Sequence, residues 1–291
     1  MKRLNIAIKN KTKLIQNLES VYDIQYYKEQ TLFSKLTFQT KIYPDIYFHQ
    51  GSLTDDALEM IEHSKVTIVN SSGLKASILE TNRHINQAKI NVVYPYAIAQ
   101  TEYDKQIKQE FKKRYSIQKD TKLILFTASD LVASGVQNFI KVLSKLQEKN
   151  FKAVVSSDTK QIQSLKLLIN RLKIDFQIIL IDDCKNKDEL FIASDIFVLP
   201  TKQKLFAPNI LKAMSYKNAV FVPSTNYSSE IIDVFSVMQS LEDPSTPFRI
   251  DALLSNKKEL KIIQKQNYET SQNFNFKSRC DIVKSIIQTQ I

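Results

Sequence analysis

Residues 194–222 read SDIFVLPTKQKLFAPNILKAMSYKNAVFV. The apolar run IFVLP suits a buried strand and TKQK a polar turn. The stretch from Pro208 suits a helix, because proline's fixed φ fits the first helical turn. AVFV then returns as a second apolar strand. Two near-continuous apolar strands joined through a helix form the unit of a parallel sheet covered on both faces. The segment predicts an α/β chain.

The same alternation extends in both directions. Upstream, LNIAI (4–8) reads as a first strand, followed by a helix around residues 12–20, with DIQYY and KIYPDIYFH as extended segments. DDALEMIEHS (55–64) is helical with Thr54 as its N-cap. VTIVN (66–70) is a buried strand, SSGLKASILET a helix opening at Ser71 or Ser72, and INVVYP (90–95) the last strand of this half. A charged helix, YDKQIKQEFKKRYSI, forms a connector. KLILFTA (122–128) then starts a second series, with a helix over 134–149, strands in FKAVVS, FQIILID, IFVLP and AVFVP, and a closing helix over 277–289. The expected organisation is a short N-terminal Rossmann-like domain (1–97), a linker helix (98–121) and a C-terminal Rossmann-like domain (122–291). The closing helix is long enough to cross back to the N-terminal domain.

At 291 residues, 43% of them hydrophobic, the chain suits two domains that each bury a core. No apolar run approaches the ~20 residues that a membrane span needs. Lys9, Lys11 and Lys13 interrupt the apolar stretch that a signal peptide would require. Cys184 and Cys280 stand far apart without metal-ligand spacing, as inert thiols of a cytoplasmic protein would. His49, His63 and His84 likewise lack neighbours at such spacing, so no metal is expected. With glycine only at positions 51, 73 and 135, there is no GxGxxG and no Walker-type loop.

The net charge of +11 is divided evenly, with 18 Lys and Arg against 13 Asp and Glu in residues 1–120. With six arginines and no basic arm, this points to a lysine-biased composition and not to a nucleic-acid partner. Peripheral contact with an anionic membrane is a further option, since each nearby Lys contributes about 1 kcal/mol there.

Residues 66–230 resemble family-4 glycosyltransferases of the two-domain GT-B architecture. The likeness runs through VTIVNSSGLKASILE, INVVYPYAI, FKKRYSIQKDTKLILFTASD and ASDLVASGVQNFI, and is densest in the segment quoted first. It continues into NYSSEII, where Glu230 matches a family glutamate. YPDIYFHQ (43–50) resembles, more weakly, the strand that presents an acceptor-side histidine, which makes His49 the catalytic candidate. The resemblance implies two Rossmann-type domains with parallel sheets facing across a cleft, and a nucleotide-sugar donor with no further cofactor. For an active enzyme it implies metal-independent, retaining hexosyl transfer. The donor-binding positions it implies are Ser129, Ser134, Gly135, Thr201, Lys204, Phe206, Ala207, Lys212 and Glu230.

Those positions depart from the family's chemistry. Transfer builds negative charge on the leaving diphosphate, which enzymes meet with Arg or Lys, helix N-termini or a metal. The family's Arg and Lys after the first strand of the C-terminal domain are here Ser129 and Ser134. The two glutamates of its Glu-x7-Glu motif are Lys204 and Lys212, and the usual glycine after the phenylalanine is Ala207. A protonated lysine cannot accept a hydrogen bond from a sugar or ribose hydroxyl. Two readings follow. In one, both lysines take over the diphosphate, and the protein is a divergent enzyme of bacterial surface or protein glycosylation, cytoplasmic or at the inner membrane face. In the other, the donor site has decayed and a pseudo-glycosyltransferase serves as a scaffold for a protein partner.

Overall fold

The computed structural model describes residues 2–27, 42–97, 99 and 101–291. They divide into two compact units, Met1–Tyr96 with Phe274–Ile291, and Ala97–Asn273. Lys41 of KIYPDIYFH and Ile98 of INVVYPYAI lie outside the described residues.

The first unit is built on a parallel sheet ordered β2-β1-β3-β4-β5. Its strands are β1 Arg3–Ile8, β2 Asp23–Tyr26, β3 Ile46–His49, β4 Val66–Val69 and β5 Ile90–Val92. Hydroxyl caps fix where three of its helices begin. Thr12 Oγ1 accepts from the Ile15 N–H at 3.4 Å, Thr54 Oγ1 from Ala57 at 3.3 Å and Ser71 Oγ from Leu74 at 3.1 Å. The core gathers Leu4, Ile6, Ile46, Phe48, Val66 and Ile68 from the strands with Ile15 and Leu18. Val283, Ile286 and Ile287 of the helix Phe276–Gln290 complete it. The side-chain amides of Asn91 and Gln290 bond to each other at 2.8 and 3.2 Å, pinning that helix beside β5.

The second unit carries a parallel sheet ordered β11-β10-β9-β6-β7-β8. Its strands are β6 Lys122–Thr127, β7 Phe151–Ser157, β8 Gln177–Asp182, β9 Ile196–Val198, β10 Ala219–Pro223 and β11 Val237–Met238. β9 and β10 are buried throughout and β6 nearly so, as a sheet covered on both faces requires. Strand order reverses between β6 and β9. In a doubly wound sheet a crevice opens outside the carboxyl ends of the two strands at such a reversal.

The charged helix Lys105–Arg114, read from sequence as a connector, packs within this unit. Phe111 is buried, and Arg114 pairs with Glu189 of the helix Lys187–Ala193 at 2.8 Å. The helix expected over 134–149 is shorter, Val136–Leu143. Gly135 stands before it with left-handed φ, and Ser144 Oγ bonds to the Ile140 carbonyl at 2.9 Å where it ends. Helix Lys257–Gln272 fully buries only Leu260, Asn267 and Ser271, a face too sparse to show as an apolar period.

Asp243 organises the start of helix Ser245–Ser255. Its carboxylate accepts from the Ser245 hydroxyl at 2.6 Å, the Gln239 N–H at 3.0 Å and Arg249 at 2.7 Å. Burial alone would raise its pKa, but these donors outweigh burial and hold it at about 2. Because that lies below the unfolded value of 3.8, the stabilisation is present above pH 4 and is lost as pH falls toward 2. The shift corresponds to about 2 kcal/mol. Asp243→Asn is expected to lower Tm at pH 7 and to flatten the fall in Tm between pH 4 and 2. A constant Tm gap between the two proteins over that range would refute the assignment.

Candidate functional site

The crevice outside β6 and β9 is framed by residues 128–135 and 199–207. Gly135 has φ of 91°, and a Cβ there would lie 2.0 Å from the Pro200 carbonyl oxygen. Only glycine allows these two loops to close on each other. Thr201 Oγ1 donates to the Ala133 carbonyl at 3.4 Å and accepts from the Gln203 N–H at 3.1 Å. The Asn138 amide reaches the Pro200 carbonyl at 3.4 Å, and the Asn209 amide reaches the Thr127 carbonyl at 3.3 Å. Helices Val136–Leu143 and Pro208–Ser215 therefore both start at this end of the sheet.

Neither of those helices has a side-chain cap. By contrast Asp104, Asp158 and Asn186 cap the helices that follow them. An uncapped helix start can present backbone N–H groups and the positive end of the helix dipole to an anion, although Pro208 has no N–H and the Ala207 N–H is taken by Ser228.

The sequence-derived positions divide into two groups. Ser134, Gly135 and Thr201 are brought together in the closed pair of loops. Ser129 and Lys204 are exposed on those loops, and the Ser129 carbonyl accepts from the Gln161 amide. Phe206 is buried. The Ala207 N–H bonds to Ser228 Oγ at 2.6 Å, and the Asn226 amide holds the Gln203 carbonyl at 3.0 Å. Glu230 is exposed on the same short segment, Tyr227–Ile231, which leaves the sheet after β10. Asn138, Asn209 and Ser228 help build the site yet carry no sequence signal beyond being polar residues beside the motif.

Lys212 stands apart. Its ammonium is ion-paired with Asp188 and lies 5.5 Å from the centre of the Phe191 ring. Asp188 is 1% exposed and also accepts from the Tyr216 hydroxyl and, at 2.9 Å, from the Thr101 N–H. Lys212 is thus committed to a buried polar cluster between two helices.

In the first unit, strand order reverses between β1 and β3, and His49 ends β3 at that reversal. Its ring is buried, and Nδ1 lies 3.0 Å from the Tyr47 hydroxyl. Among the described residues, Nε2 has no hydrogen-bond partner. Burial pushes its pKa below the usual histidine value, so the imidazole is neutral at pH 7. Among the described residues, no group of three or more His, Cys, Asp and Glu side chains could hold a metal ion. None of the described helices is long and apolar enough to cross a membrane.

The reversal between β6 and β9, the loops closed around Gly135 and the starts of these two helices together frame the crevice. Residues 107–270 match the family described as Glycosyl transferases group 1, and the chain belongs to it. The fold is similar to a glycosyltransferase from Rickettsia africae ESF-5 (16% identity, 98% of this chain and 90% of that one, TM-score 0.70). It is also similar to Anabaena Alr3699/HepE in complex with UDP-glucose (10% identity, 99% and 100%, TM-score 0.77). A third similar structure is WaaG, a glycosyltransferase involved in lipopolysaccharide biosynthesis (12% identity, 92% and 87%, TM-score 0.69). The two parallel sheets are those of a GT-B glycosyltransferase fold. No curated protein matches the chain.

Proposed function

We propose that the chain is a family-4-type glycosyltransferase homologue whose donor crevice keeps its backbone frame and has lost most of its side-chain chemistry. The observation that carries this is Lys212. At the position of the family's second glutamate stands a lysine whose charge is neutralised by Asp188, leaving it to contact neither ribose nor diphosphate. The reading in which both lysines form a clamp therefore loses half of it. Ser129 and Ser134 offer hydroxyls without charge, so a nucleoside diphosphate would rest on the start of helix Val136–Leu143 with Lys204 as a side-chain cation. The Anabaena relative's complex with UDP-glucose supports a nucleotide sugar as the ligand class.

Binding at such a crevice is weak and turnover low. Any transfer would be metal-independent and retaining, with His49 on the acceptor side, in bacterial surface or protein glycosylation at the cytoplasmic face of the membrane. The same losses favour, as a second reading, a pseudo-glycosyltransferase that binds a protein partner.

Calorimetry with UDP and UDP-glucose separates the two. The donor-site reading expects measurable UDP affinity, abolished by Lys204→Glu. It also expects at least ~10-fold tighter binding in Ser129→Arg with Ser134→Lys, since charge-assisted bonds to phosphate are the strong ones. No UDP binding by the unmodified chain, with binding only in the restored pair, would leave the scaffold reading in place.

A further inference from the structure

A pocket of about 810 Å³ lies at the opposite end of the second unit's sheet. Lys122 opens β6, Asp195 immediately precedes β9 and Lys217 shortly precedes β10, and all three line it. These are the amino ends of the strands, whereas the crevice lies at the carboxyl ends. A six-residue strand at ~3.3 Å per residue separates the two places by roughly 20 Å. The volume lies within the range of small-molecule sites.

Nine lysines and three carboxylates line this pocket. Charge that looks evenly spread along the sequence is therefore gathered in space. Two of the carboxylates are already engaged. Asp195 accepts from Lys108 at 2.8 Å and from the Leu123 N–H at 3.0 Å, and Glu269 pairs with Lys265 at 3.6 Å. Among the described residues, no carboxylate forms an ion pair with Lys105, Lys119, Lys122, Lys257 or Lys261.

The wall is also ordered. The Lys112 ammonium donates to the Lys119 carbonyl at 2.7 Å and the Thr121 carbonyl at 2.6 Å. Burial depresses its pKa, with the charges of Lys108 and Lys122 pushing the same way and those of Asp195 and Asp120 opposing them. Lys217 has φ of 60°, the left-handed conformation that glycine adopts most easily after a helix. Its ammonium is held between the rings of Tyr103 and Tyr268, 4.8 and 5.0 Å from their centres.

We propose that this pocket is a second anion site, built for a ligand carrying two or more phosphate groups. Ammonium groups bind phosphate as point charges, and low-dielectric walls lined by one sign of charge focus the field on an entering anion. A single carboxylate would leave most of the unpaired lysines uncompensated. A soluble polyphosphorylated molecule and an anionic lipid headgroup share this chemistry.

Inorganic tripolyphosphate, titrated into the whole chain by calorimetry, is the probe. Micromolar affinity is expected at low salt, weakening on raising ionic strength because partly exposed charges are screened. Lys257→Gln with Lys261→Gln, two exposed positions, should weaken it at least ~10-fold, with Tm unchanged. The matching Lys→Arg pair should retain binding. Co-sedimentation with cardiolipin vesicles, whose headgroup carries two phosphates, identifies the source: vesicle binding displaced by tripolyphosphate marks a headgroup site, and vesicle binding that is absent or not displaced marks a soluble ligand. Tripolyphosphate binding that is absent at about 1 mM and low salt, or indifferent to the Gln pair, overturns the proposal.

Discussion

Lys212→Glu should bring the second unit to the edge of unfolding. The substitution would restore a residue type of the resembled family and would ordinarily be expected to repair a site. Here it sets a second carboxylate against Asp188, whose side chain is 2% exposed and whose other partners include the Tyr216 hydroxyl and the Thr101 N–H. Removing one partner of a buried ion pair costs about 3–5 kcal/mol, and adding a like charge increases that. Against a typical domain stability of about 5–15 kcal/mol, little margin is left. Lys212→Met should lose less, because Asp188 keeps its hydrogen bonds to Tyr216 and Thr101. Lys212→Met with Asp188→Asn should recover part of the loss, since no uncompensated charge then remains buried. Urea denaturation measures all three variants. A Lys212→Glu protein as stable as the parent would show that the pair is absent and that Lys212 is open to a ligand, which reinstates it in the donor crevice.

Gly135→Ala carries the second large effect. The residue's φ of 91° already disfavours any side chain, and the new methyl would meet the Pro200 carbonyl oxygen at 2.0 Å. Backbone must move, since the obstacle is not a flexible side chain. We expect a loss of about 3 kcal/mol or more, in the range reserved for strained backbone positions. The displacement would part the loops that Thr201 and Ala133 join, so UDP affinity should fall together with stability. Gly135→Asn separates the two causes, because asparagine tolerates left-handed φ but still carries the Cβ. Equal losses for Ala and Asn would assign the cost to the clash, and a much milder Asn variant to conformation. Wild-type denaturation midpoints for both would disprove the close approach of the loops.

Local patterns made much of this legible. The strand–helix–strand segment at 194–222, the Thr54 and Ser71 caps and the apolar face of the closing helix can each be read from a few neighbouring residues, because short-range sterics and hydrogen bonding decide them. What escaped depends on residues distant in sequence. Nothing near Lys212 announces that Asp188, on another helix, will neutralise it. Lys122, Lys217 and Lys261 look like ordinary solvated lysines until the sheet gathers their elements around one pocket. The helix expected over 134–149 stops at Leu143 although apolar spacing continues to Leu146. A tight turn there lets Leu146 remain buried without being helical.

Residues 97–273 leave the ribosome before Val283, Ile286 and Ile287 do. The whole of the second unit is thus synthesised before the helix that closes the core of the first. At translation rates of about 5–20 residues per second, strands β1 to β5 wait roughly 10–55 s for that helix. Over that interval apolar side chains such as Ile46 and Phe48 lack part of their native cover and are open to chaperones or to a neighbouring chain. The unit whose strands are synthesised first cannot complete its core until the chain's last helix is made.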